Sequence, residues 1–92
     1  MTLESRFDIP PNVVARRVGD ETVILDIDAG TYFGLDAVGA RIWALIEEGL
    51  SLADICDILV EEYDAERETV ETDTLRLASD LKKHDLVRDR SS

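Results

Sequence analysis

Residues 22–43 read TVILDIDAGTYFGLDAVGARIW, and inside this stretch the hydrophobic period changes from 2 to 3.6. In its first part Val23, Leu25 and Ile27 alternate with Ile24, Asp26 and Asp28, the pattern of a half-buried sheet. Asp28-Ala29-Gly30 is a turn signal, because Gly30 can take a positive φ. Thr31–Leu35 is then a short further strand. Asp36 is placed to cap a helix from about Ala37 to Glu48. Val38, Ile42, Leu45 and Ile46 share one face of that helix. Gly39 suits close packing of the helix on the sheet, and Trp43 reads as core.

Toward the N-terminus, Val13–Val18 reads as a strand, although Arg16 and Arg17 break its alternation. Gly19-Asp20 suits a type II′ hairpin turn. Residues 13–35 therefore form a three-stranded antiparallel meander. Residues 1–12, with Pro10-Pro11, are an extended lead-in. Toward the C-terminus, Gly49 stands where a left-handed residue ends the first helix. Ser51 caps a second helix, with Asp54 in the position of a capping box and Leu52, Ile55, Leu59 and Tyr63 on its buried face. Asp64–Glu68 is a polar connection. A third helix runs from about Thr69 to Lys83, with Val70, Thr74, Leu77 and Leu81 on one side and Leu75 and Ala78 on an adjoining one. Lys82, Lys83 and His84 suit the negative end of its dipole. Leu86 and Val87 return to the core, and residues 88–92 are a tail. The order βββααα is an α+β fold: a winged helix-turn-helix in variant order, with one domain over residues 13–87.

The 92 residues carry a net charge of −11 and are 45% hydrophobic. That composition is globular. The charge argues against nucleic acid as a partner and against an anionic membrane surface. One cysteine allows no intrachain disulfide framework. The first residues are polar, without the apolar core of a signal peptide, so the expected location is the cytoplasm.

Chemistry finds little support. Cys56 and His84 are the only candidates for a nucleophilic pair, and nothing supplies an oxyanion site. Cys56 reads as a small buried hydrophobe. One Cys and one His do not make a structural zinc site, and Asp26/Asp28 do not form an EF-hand loop. Gly30, Gly34 and Gly39 have neither phosphate-loop nor dinucleotide spacing. A DNA-reading third helix would turn Glu68, Glu71 and Asp73 toward phosphates. The expectation is a protein with no catalytic residue, no metal and no cofactor.

Val23-Ile24-Leu25-Asp26, Gly30-Thr31-Tyr32-Phe33-Gly34-Leu35-Asp36 and Val38-Gly39-Ala40-Arg41-Ile42-Trp43 resemble the PqqD-like proteins, also called RiPP recognition elements, which act on ribosomally made, post-translationally modified peptides. Ser51-Leu52, Tyr63-Asp64, Asp73, Leu81 and Leu86-Val87 match the second half of the pattern, so the resemblance runs from about residue 13 to 87. The stretch around Gly30, Tyr32 and Ile42-Trp43 is most similar to the stand-alone partner proteins of lasso-peptide clusters. Two departures stand out: Asp36 where the family usually has Asn, and His84-Asp85 where a Gly often precedes the final Leu.

The resemblance implies a non-catalytic adaptor. The leader of a precursor peptide would add as a strand to the third strand, in the cleft beside the third helix. It would then be delivered to a leader peptidase and cyclase, or to a radical modifying enzyme. An open sheet edge offers unpaired N–H and C=O groups to such a guest. The expected contacts are Thr31, Tyr32, Phe33, Gly34 and Leu35 on the strand, with Phe33 and Leu35 toward the core and Tyr32 bordering the peptide. On the helix, Leu75, Ala78 and Lys82 would line the wall, and Asp73 and Arg76 would fix register. A monomer or weak dimer is expected. The alternatives are a PqqD-type chaperone in quinone-cofactor synthesis and an acidic winged-helix regulator that binds another protein.

Overall fold

The hairpin expected at Gly19-Asp20 closes: in the computed structural model, which describes residues 1–90, Val18 faces Glu21 across that turn. In chain order the elements are β1 (Phe7–Asp8), β2 (Val13–Val18), β3 (Glu21–Asp26), β4 (Thr31–Leu35), α1 (Ala37–Glu47), α2 (Leu52–Tyr63), α3 (Arg67–Lys83) and β5 (Arg88–Asp89). The antiparallel meander β2-β3-β4 is the main sheet, and the βββααα order stands. Of the two alternating sets on β3, Ile24 and Asp26 face the helices, while Val23 and Leu25 are half-buried on the outer face. Asp26 tolerates burial because its Oδ1 accepts hydrogen bonds from the Ala29 N–H (3.1 Å) and the Asn12 side-chain amide (2.9 Å). Those donors, Ala29 foremost, hold its carboxyl below the usual carboxylate range.

Each helix carries its stop and start in the local sequence. The Asp36 carboxylate accepts from the Gly39 N–H at 2.8 Å, capping α1. Gly49 takes φ +84, its N–H bonds the Ile46 carbonyl, and Leu50 N–H bonds that of Leu45. This is a Schellman closure, and a Cβ would resist its left-handed residue. The Ser51 hydroxyl accepts from the Asp54 N–H at 3.2 Å, capping α2. Helix α3 starts at Arg67, two residues before the expected Thr69, and Glu66 gives it no side-chain cap. Arg67 instead ties α3 to α2 through Asp57 and pairs with Glu71 one turn on.

One core joins the sheet and all three helices. Ile24 and Leu35 from the sheet meet Ile42, Trp43, Leu45 and Ile46 of α1, Leu52, Ile55 and Leu59 of α2, and Val70, Thr74, Ala78 and Leu81 of α3. Two expected core residues lie outside it: Val38 and Tyr63 are 42% and 48% exposed. Val38 falls in the first turn of α1. Tyr63 is the last residue of α2, at the connection to α3. Leu86 and Val87 do return to the core.

The flanks do more than their composition suggests. Lead-in residues Phe7-Asp8 pair antiparallel with Asp89-Arg88 of the expected tail, and Phe7 is buried. Leu3 and Ser5 carbonyls accept from Ala53 and Leu52 at the start of α2. Arg6 donates to the Gly49 carbonyl at 2.7 Å, and Arg90 pairs with Asp8. Ser91 and Ser92, the last two tail residues, lie outside the described residues.

Candidate functional site

Strand β4 is an edge strand: β3 pairs with one side of it, and among the described residues no strand pairs with the other. Its sequence TYFGL holds no charge and no proline, the devices that block an edge. The opposite edge strand, β2, carries Arg16 and Arg17. Of the two edges, β4 is the one without charge.

Beside that edge runs a groove of about 410 Å³. Phe33, Gly34 and Leu35 of β4 form one wall, Val38, Gly39 and Ile42 of α1 the floor, and Asp73, Arg76, Leu77 and Asp80 of α3 the other wall. Gly39 lets the start of α1 pack closely on the end of β4: a Cβ there would meet Leu35 Cδ2 and Asp36 Oδ1, both at 3.2 Å. At the far end of α3 the His84 ring packs at a tilt against Phe33, with centroids 5.3 Å apart and planes 55° from parallel.

The period-2 reading of β4 places its side chains as expected toward the core: Leu35 is buried and Phe33 half-buried. Thr31 is exposed at the start of the strand. Tyr32 is 77% exposed on the outer sheet face. There it continues a cross-strand row with Leu25 and Val14 and does not line the groove.

On α3 the structure brings Asp73 and Arg76 to the groove, but not Leu75, Ala78 or Lys82. At about 100° per residue, Asp73, Arg76, Leu77 and Asp80 span an arc of about 100°, and Leu75, Ala78 and Lys82 point about 150–170° away from its centre. Ala78 is wholly inside the core, Leu75 is half-buried on the far flank, and Lys82 pairs with Asp89 of β5. The stripe was displaced because α3 carries apolar residues on three sides, and periodicity alone does not say which flank turns toward β4. Leu77, Asp80, Val38 and Ile42 are groove residues the sequence reading did not assign to the site. No sequence signal marked them: Val38 and Ile42 read as one buried face of α1, and Leu77 as core on α3.

Cys56 is buried beside Thr74, and burial pushes its thiol up, away from the reactive thiolate. No group of three or more His, Cys, Asp or Glu among the described residues is disposed to hold a metal ion. No described helix is long and apolar enough to cross a membrane.

A family profile described as coenzyme PQQ synthesis protein D (PqqD) matches residues 21–87. A comparison with curated proteins finds no match. A solved structure described as TbiB1 in complex with the TbiA(beta) leader peptide is 42% identical, covering 91% of this chain and 98% of that one, with a TM-score of 0.82. A second, described as lasso peptide synthetase B1 complexed with the leader peptide, is 29% identical over 90% of this chain and 98% of that one, with a TM-score of 0.83. The profile takes in the open edge strand, the groove and the final return to the core, and on that match the chain belongs to the PqqD family.

Proposed function

We propose that this chain binds the leader segment of a ribosomally made precursor peptide and presents it to a modifying enzyme, in a lasso-type pathway. It acts without making or breaking bonds. The leader adds as an antiparallel strand to β4 and lies in the groove against α3. The observation that carries this reading is the uncharged free edge of β4 directly beside an apolar-floored groove. Backbone pairing along about five residues, roughly 17 Å, gives affinity that tolerates sequence change. The groove selects among side chains. Two solved relatives of similar length and fold hold leader peptides, which supports the same role here. A leader peptidase with a cyclase is the partner set that fits, and Thr31–Leu35 with Asp73, Arg76, Leu77 and Asp80 is the contact set.

Calorimetric titration with the precursor's leader peptide tests it. The expected dissociation constant lies between about micromolar and nanomolar, or about −8 to −12 kcal/mol. Leu77→Ser weakens it at least about tenfold with the fold retained by circular dichroism. No binding by the wild-type chain refutes the reading.

A further inference from the structure

The groove wall on α3 carries the charges Asp73, Arg76 and Asp80 in the order minus, plus, minus. They lie at i, i+3 and i+7, so the backbone positions of the two aspartates are about 10 Å apart along the helix. Arg76 is within one turn of both, yet none of the three forms an ion pair or side-chain hydrogen bond among the described residues. Elsewhere the fold uses such neighbours: Arg67 takes Glu71 at i+4, and Arg41 grips Glu62 with two nitrogens. The opposite wall and the floor between these charges are uncharged, from Phe33, Gly34, Val38 and Ile42. Asp36, also at the groove, has its Oδ1 occupied in capping α1.

From this pattern we infer that the groove reads a charge code: it selects a peptide with two cationic side chains four residues apart and an aliphatic residue midway. This rests on the strand-addition reading above. In an added strand every second side chain faces inward. Positions i, i+2 and i+4 then lie about 6.6 Å apart, reaching about 13 Å overall. A lysine or arginine at each end spans the remaining few ångströms to Asp73 and Asp80. The middle side chain falls over Leu77, Val38 and Ile42, where Arg76 disfavours a third cation. Because both ends of the code are carboxylates, it holds for a peptide that runs either way along α3.

The test uses a phage-displayed library of random peptides long enough to cover β4. It is panned on the wild-type chain, on Asp73→Lys/Asp80→Lys, and on Glu61→Lys/Glu68→Lys, which makes the same charge change away from the groove. The wild type and the Glu61/Glu68 variant are expected to enrich cation–x–aliphatic–x–cation. The Asp73/Asp80 variant is expected to enrich acid–x–aliphatic–x–acid. The best cationic peptide should lose at least about tenfold in affinity on the groove variant only, and its acidic counterpart should regain it. Identical enrichment of uncharged peptides by all three proteins overturns the charge code while leaving strand addition standing. Failure of the wild type to enrich any peptide that competes at β4 overturns both.

Discussion

Asp85 shows how a single residue carries local structure that its neighbours dictate. Its φ is +58, its N–H bonds the Lys82 carbonyl, and Leu86 N–H bonds that of Leu81, so α3 ends in a second Schellman closure. A left-handed backbone is the conformation that glycine adopts without a Cβ penalty. Asp85→Gly should raise stability by about 1 kcal/mol, read as a higher denaturation midpoint in urea. An unchanged or lower midpoint contradicts the assignment. Asp26 gives a second prediction. Its folded pKa is lowered, so the unfolded chain binds the proton more tightly and stability rises with pH. The contribution is fully present above the unfolded value of about 3.9 and is lost as pH falls through the lower folded value. Asp26→Asn should therefore flatten the acid limb of the stability profile measured between about pH 5 and pH 2.

At the scale of elements, the two edges of the main sheet are treated differently. Strand β2 carries Arg16 on its outer face and Arg17 on the face turned toward the helices, while β4 carries no charge. Inward and outward charge keeps an edge from pairing with another copy. Arg16→Thr/Arg17→Thr should therefore self-associate more strongly than wild type in sedimentation equilibrium. No change would mean that the arginines do not guard this edge. Most elements were legible in the sequence because each is fixed locally: the Gly19-Asp20 turn for the β2–β3 hairpin, alternation for β3 and β4, and side-chain caps at Asp36 and Ser51. The start of α3 was less so, because Glu66 offers no cap and Arg67 is held by α2. The groove wall was half legible. Asp73 and Arg76 were found, but Leu77 and Asp80 were not, because the flank of α3 that meets β4 is a tertiary choice.

On the scale of the whole molecule, the chain's two ends stitch the fold together. Strands β1 and β5 are two residues each, too short for any periodic signal, and they join segments separated by the full domain. Phe7, the one aromatic of the lead-in, was the available clue; it is 1% exposed. Phe7→Ala should cost about 3–5 kcal/mol, a large share of the stability of so small a domain. A loss under about 1 kcal/mol by urea denaturation would show the stitch to be incidental. With the ends secured on the side of α2 and the C-terminal return, the β4 edge stays free for a guest backbone. Hydrogen exchange of the β4 amides, with and without the leader peptide, tests that claim most directly. Strand addition predicts that the outward-facing amides among Thr31–Leu35 slow markedly when the leader binds. A leader that binds tightly while these amides exchange unchanged would contradict it.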